Sequence, residues 1–232
     1  MNDGEAKELL KFGEQIFKNR YCFPKEMSYQ VHVFNSREEL YLQRISMTKN
    51  ETFKQHLELS PQKYMSSDGC YIIPPLKDYC FDILLVHSQE DQNGLLLLYN
   101  FLHELTHICN ISEVKRLTNN FDYLAMFCNP FFTNWDEFKA RYISSILFFK
   151  DYCETQNRRD VKNALNDIQN SLMRSISDEE IIDGINILRY NLMQYLGFVA
   201  AKEDGWSDGF EMPQYILQNN VVNRIYNELK EC

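Results

Sequence analysis

The sequence predicts an α+β fold in which helices outnumber strands and a helical C-terminal part follows a small mixed core. Three observations carry that expectation. Apolar residues recur at helical spacing through most of the 232 residues. Strand-like patterns are confined to two short regions. Only 8 Gly and 6 Pro are present, which suits long elements rather than many turns. A chain of this length can bury a substantial core, and nothing in it reads as a linker. The expected organisation is therefore a core over residues 1–150 with a helical extension, 151–232, packed on it as one compact domain.

The elements follow in order. Ala6 to Asn19 places Leu9, Leu10, Phe12, Ile16 and Phe17 at helical spacing, the pattern of a surface-docked helix. In Tyr29–Phe34, Val31 and Val33 alternate with polar positions as in a half-buried strand, which leaves His32 on the solvated face. His56 and His87 likewise read as solvated side chains. Ser36 with Glu39 three residues later has the spacing of a capping box and opens a helix to Met47. Cys70–Ile73 and Phe81–His87 are two further strands, separated by Pro74-Pro75. The second ends shortly before a long apolar helix, an order that predicts an edge strand beside that helix, open to an extended peptide.

Beyond it, Trp135–Lys150 carries Phe138, Tyr142, Ile146 and Phe149 at helical spacing, and Val161, Ala164, Leu165, Ile168, Leu172 and Ile176 mark an amphipathic helix. Ser177 and Glu180 repeat the capping-box pattern before a helix toward Ala201. Gly205 and Gly209 mark a turn, and Pro213 opens a last helix to about Lys230.

Composition narrows the function classes. The net charge of −9 and sequence pI near 5.1, with no basic block, argue against a direct nucleic-acid ligand. The N-terminus is acidic and amphipathic, unlike a signal peptide, and the strongly apolar run Leu95–Leu98 is far too short to cross a bilayer. Seven cysteines (Cys22, Cys70, Cys80, Cys109, Cys128, Cys153, Cys232) with no CxxC pair fit reduced thiols in a cytoplasmic protein.

The helix from Asn93 to Asn110 holds the chemistry. Leu95, Leu97, Leu98, Phe101, Leu102, Leu105 and Ile108 surround most of it, so it reads as buried. Its strong polar groups, Asn100, His103, Glu104 and His107, fall within about 100° of one another on the helical wheel. Buried polar groups need partners. His103-Glu104-Leu105-Thr106-His107 is an HExxH motif: residues four apart share a helix face, so two imidazoles can bind one metal ion with a carboxylate beside them. The competing reading makes both histidines hydrogen-bonded core residues. With 5 His in the chain, two at this spacing around a Glu favour a metal site.

A catalytic zinc takes three protein ligands and keeps a fourth position for water. Glu137 is the favoured third ligand, 30 positions beyond His107 and on a following helix, which leaves room for the chain to return. Asn134 and Glu137 also have capping-box spacing, which would make Glu137 a mere cap. Glu113 is a rival, because Asn110 and Glu113 resemble the metzincin continuation HxxGxxH/D, with Asn tolerating the left-handed helix end and Met126 available for a methionine turn. Asp122 is a weaker alternative.

His103, Glu104, His107 and the later Glu137-Phe138-Lys139-Ala140-Arg141 resemble the gluzincins, whose third ligand is a Glu on a following helix. More closely, Glu137, Ala140, Ile143, Ser144 and Leu147 are similar to the post-motif helix of the ImmA/IrrE-like metallopeptidases, small intracellular proteins often linked to mobile elements and repressor cleavage. The match covers about a third of the chain, from the strand near Phe81 to Lys150. These families commonly have Asp or Asn four residues after the ligand Glu, supporting a zinc-bound imidazole. Here that position is Arg141, so support for the ligands must come from elsewhere.

The resemblance implies a zincin-like core and a zinc peptidase of narrow specificity toward a regulatory protein, with Zn²⁺ held by His103, His107 and Glu137 and Glu104 as general base. Its partner would be a protein or peptide substrate, without nucleic acid or membrane. Tyr142 and Tyr123 are candidate oxyanion donors. A module that retains the fold without proteolysis is the alternative.

Overall fold

The computed structural model describes residues 2–21, 23–25, 27–65, 67–74, 80–88, 91, 93–117, 125–126, 129–148, 150, 163, 166–174, 185–205 and 210–231. The architecture is α+β, and its contacts group into two compact units, Met1–Ala125 and Met126–Cys232.

The first unit is built on a three-stranded sheet. Helix α1 (Asp3–Arg20) begins at a reciprocal capping box between Asn2 and Glu5. Strand β1 (Ser28–Phe34) leads to α2 (Arg37–Met47), where the Ser36 side chain accepts the Glu39 N–H, while the Glu39 carboxylate takes the Asn35 N–H. Two short helices that hydrophobic spacing does not announce follow: α3 (Glu51–Leu59), capped by Asn50, and α4 (Pro61–Tyr64). Then come β2 (Gly69–Ile72), β3 (Cys80–Val86) and α5 (Leu95–Leu117).

Strand order is β1-β3-β2, with β1 parallel and β2 antiparallel to β3. The expectation of Phe81–His87 as an edge strand is thus overturned: β3 is paired on both sides. The reason lies in its composition, since a run buried on both faces belongs at the centre of a sheet. Alternation along the strands sends Leu84 and Val86 of β3, with Cys70 and Ile72 of β2, to the face covered by Leu40 of α2. The opposite face meets α5, where the Tyr29 ring lies 6.1 Å from that of Phe101 and Tyr71 lies near His107. Ile83, Leu84 and Leu85 are completely buried. Burying each contributes about 1.5–3 kcal/mol, and truncating one to Ala costs about 2–5 kcal/mol.

The other histidines of this unit have structural partners. His32 is half-buried rather than solvated, with Nε2 2.8 Å from Asp82 Oδ1 of the central strand. His87 Nε2 lies 3.1 Å from the Asp91 carbonyl, and His56 meets the Tyr64 ring edge-on. Asp91 then accepts the Leu97 N–H at the start of α5, after Gly94 has turned the chain with φ 68°. Helix α1 docks on α5 through Gly13, where a Cβ would stand 2.4 Å from Leu98 Cδ1.

Among the described residues, the regular elements of the second unit are helices. Helix α6 (Pro130–Leu147) starts at Asn129, whose side chain accepts the Phe131 and Phe132 N–H groups. It therefore begins five residues before Trp135, because Asn-Pro supplies both a cap and a favoured first residue. Residues 166–174 are helical. Helix α7 (Ile185–Gly205) packs closely on α6 at Gly197, where a Cβ would approach the Phe138 carbonyl oxygen to 2.3 Å. The last expected helix is broken into α8 (Gln214–Gln218) and α9 (Asn220–Glu231). Asn219 makes the break: its backbone is extended, and its side chain accepts the Val221 and Val222 N–H groups. At the C-terminal end, Glu203 accepts hydrogen bonds from Tyr226 and Lys230, and Lys230 also reaches Asp204.

Pro75, Asp122, Tyr123, Val161, Ala164, Leu165, Ile176, the Ser177–Glu180 pair and Gly209 lie outside the described residues, as do Cys22, Cys128, Cys153 and Cys232. Among the described residues no helix is long and apolar enough to cross a membrane.

Candidate metal centre

Helix α5 is apolar on nearly all sides, and burial makes its polar stripe conspicuous. His103, Glu104, His107 and Asn110 are only 6%, 6%, 3% and 3% exposed. The i, i+4 spacing turns both imidazoles to one point: their Nε2 atoms are 3.0 Å apart, with ring planes nearly perpendicular at 89°. At 3.0 Å the two nitrogens are within hydrogen-bonding distance, and this spacing is also near the roughly 3.3 Å that two imidazole nitrogens take when they share one tetrahedral ion.

The sheet completes the surroundings within this unit. An ideal Cβ on Gly69 would lie 3.1 Å from Glu104 Oε1, so β2 passes the carboxylate at backbone contact. The Tyr71 ring sits 5.4 Å from that of His107. Below them, burial pushes the Cys70 thiol up to about 12, with Arg44 opposing and Glu104 reinforcing the shift. Burial first, then Glu113, likewise pushes Cys109 up to about 12. Ionising either thiol is costly, so neither suits the part of a ready thiolate.

In the helical unit, Glu137 lies in the second turn of α6, so the Asn134–Glu137 capping-box alternative is overturned: the cap is Asn129. Its Oε2 accepts a 3.0 Å hydrogen bond from Nε2 of Gln194 on α7, and Gln194 Oε1 in turn accepts from Arg141 Nη2. His103, His107 and Glu137 make up a group that could hold a metal ion, each offering one ligand atom. Two imidazoles and a carboxylate are a donor set suited to zinc.

The metzincin-like alternative implies a different backbone. It needs the helix to end at Asn110, but α5 continues to Leu117, Asn110 is buried inside it, and Glu113 is exposed. Among the described residues no non-glycine residue has positive φ. Tyr142, proposed as an oxyanion donor, donates its hydroxyl to Asp204 at 3.0 Å.

Two residues escaped the sequence reading. Gln194 carries a signal, a strong polar group within the apolar run LMQYLGFVAA. Gly69 carries none, since its proximity to Glu104 depends on strand pairing. No protein-family model matches the chain, and no curated protein or solved structure matches it significantly.

Proposed function

We propose that this chain is a zinc-dependent peptidase in which His103, His107 and Glu137 hold the metal and Glu104 is the general base. The observation that carries the reading is the pair of buried Nε2 atoms 3.0 Å apart, one turn of helix from each other, with a buried carboxylate beside them. When bound, zinc supplies a Lewis acid and lowers the pKa of a water toward neutrality. Glu104 accepts the proton that water gives up as its oxygen attacks the scissile carbonyl. It then delivers that proton to the amine nitrogen as the C–N bond breaks. Burial of Glu104 on α5 limits its rotamers and keeps the proton acceptor in place.

A protein or peptide amide is the natural substrate for this chemistry. Strand β2 supports that choice, because among the described residues it pairs only with β3, while Gly69 and Tyr71 bring it alongside Glu104 and His107. An extended substrate segment would add to β2 rather than to β3. The unpaired thiols of Cys70, Cys80 and Cys109 suit a reducing, cytoplasmic setting.

The test is cleavage of a peptide library by the zinc-loaded protein and by its Glu104→Gln variant. The substitution spares the ligands and removes the base. Cleavage by wild type with a loss of about 10²–10⁴-fold in the variant is expected. Equal cleavage by both would remove Glu104 from the reaction, and cleavage by neither would favour a non-catalytic binding module.

A further inference from the structure

Arg141 stands where the resembling families carry an Asp or Asn, and its own contact explains what it does instead. A guanidinium can only donate, so its bond to Gln194 must be to the amide oxygen, Oε1. That fixes which way the Gln194 amide faces. Its NH₂ group is then turned to Oε2 of Glu137, at 3.0 Å. Gln194 itself is 5% exposed in the middle of α7, a position where a polar side chain is costly unless its hydrogen bonds are made. Both contacts run across the close α6–α7 approach that Gly197 permits, one turn further along α7.

We infer that Gln194, oriented by Arg141, is a positioning residue for the metal ligand Glu137. This rests on the reading of Glu137 as a zinc ligand. Held at one oxygen, the carboxylate keeps a defined rotamer, so less freedom is lost when it takes up the ion. Outer contacts of this kind typically change metal affinity 10–100-fold. The Arg-Gln relay thus takes the part that an acidic or amide residue plays elsewhere, but acts on the carboxylate ligand rather than on an imidazole.

The experiment measures zinc affinity of the full chain by competition with a chromophoric chelator, for wild type, Gln194→Met, Glu137→Ala and the double variant. Methionine keeps the length and packing of glutamine and lacks the donor. Gln194→Met should weaken zinc binding about 10–100-fold at unchanged stoichiometry. In the Glu137→Ala background the same substitution should add nothing, because its effect passes through Glu137. Equal losses in both backgrounds would make Gln194 a merely structural residue and overturn the inference. So would wild-type affinity for Gln194→Met alongside weakened Glu137→Ala. Wild-type affinity for Glu137→Ala itself would instead overturn the ligand reading, and this inference with it. Arg141→Met, at a half-buried position, gives a second route should Gln194→Met fail to fold. It should lower affinity by a smaller factor, and no change would count against the relay.

Discussion

Replacing Gly197 with alanine sets two effects of opposite sign against each other. In an exposed helix the change would be stabilising by about 1 kcal/mol, because alanine is the better helix former. Here the new Cβ would lie 2.3 Å from the Phe138 carbonyl oxygen and 3.1 Å from the Tyr142 nitrogen, and real Cβ contacts essentially never fall below 3.0 Å. Both nearest groups are backbone, so no side chain can swing aside. Helices α6 and α7 must separate by at least about 0.7 Å, the difference between those two limits, and overpacking of this kind costs about 1–3 kcal/mol.

Set against that gain, the clash should leave a net loss of up to about 2 kcal/mol, centred near about 1 kcal/mol, which lowers Tm by about 2–4 °C in a chain of this size. The same separation carries the Gln194 to Glu137 hydrogen bond from 3.0 Å toward about 3.7 Å, outside bonding range, so zinc affinity should fall about tenfold. Thermal melts of the zinc-free and zinc-loaded protein, with a chelator competition titration, read both effects. A Tm equal to or above wild type would refute the packing argument. A lowered Tm with unchanged zinc affinity would refute the link from α7 to the ligand.

Four further outcomes follow. Removing zinc with a chelator should lower Tm, because an ion bound only by the folded state stabilises it by about 2.7 kcal/mol at a hundredfold excess over Kd, and His103→Ala should abolish the difference. Glu137→Ala should lose zinc in elemental analysis whereas Glu113→Ala, at an exposed helical position, should retain it. Gly69→Ala should press on Glu104 and reduce peptide turnover at unchanged zinc content, so unimpaired turnover would remove β2 from the site's surroundings.

The fourth concerns acid stability. Burial disfavours the charged Glu203, but hydrogen bonds from Lys230 and Tyr226 outweigh it and hold the carboxyl below its ordinary 4.5. Its stabilisation is therefore complete above that value and lost as pH falls through the lower, folded-state value. With Glu203 and Lys230 side chains 36% and 27% exposed, the pair contributes only about 0.2–1 kcal/mol. Melts between pH 6 and pH 3, buffer values of about that range, should fall less steeply for Lys230→Met, and parallel curves would contradict this.

Much of the site was legible because helical periodicity is local. The HExxH spacing alone brings His103 and His107 onto one face, and a buried helix makes their polarity informative. Glu137 is the favoured third ligand on its distance from His107 and its place on a following helix, with the resemblance in support, while the capping-box alternative falls only because Asn129 is the cap. Strand pairing was the least legible feature, since it joins residues distant in sequence: β3 could be read as a strand but not as the central one. The break at Asn219 was hidden because Pro213 and the following apolar residues read as one helix until the asparagine side chain is seen capping the second. Arg141 departs from the pattern of the families that the motif helix resembles, and its hydrogen bond to Gln194 on α7 could not be read from spacing.

Zinc K-edge X-ray absorption of the purified, zinc-loaded protein tests the central claim most directly, because it reports the atoms around the ion without requiring a substrate. The account predicts a first shell of nitrogen and oxygen only, at about 2.0–2.1 Å, with the outer-shell scattering of two imidazoles. Loss of one imidazole is expected in His107→Ala. A sulfur shell at about 2.3 Å, or an imidazole count unaltered by His107→Ala, would contradict it.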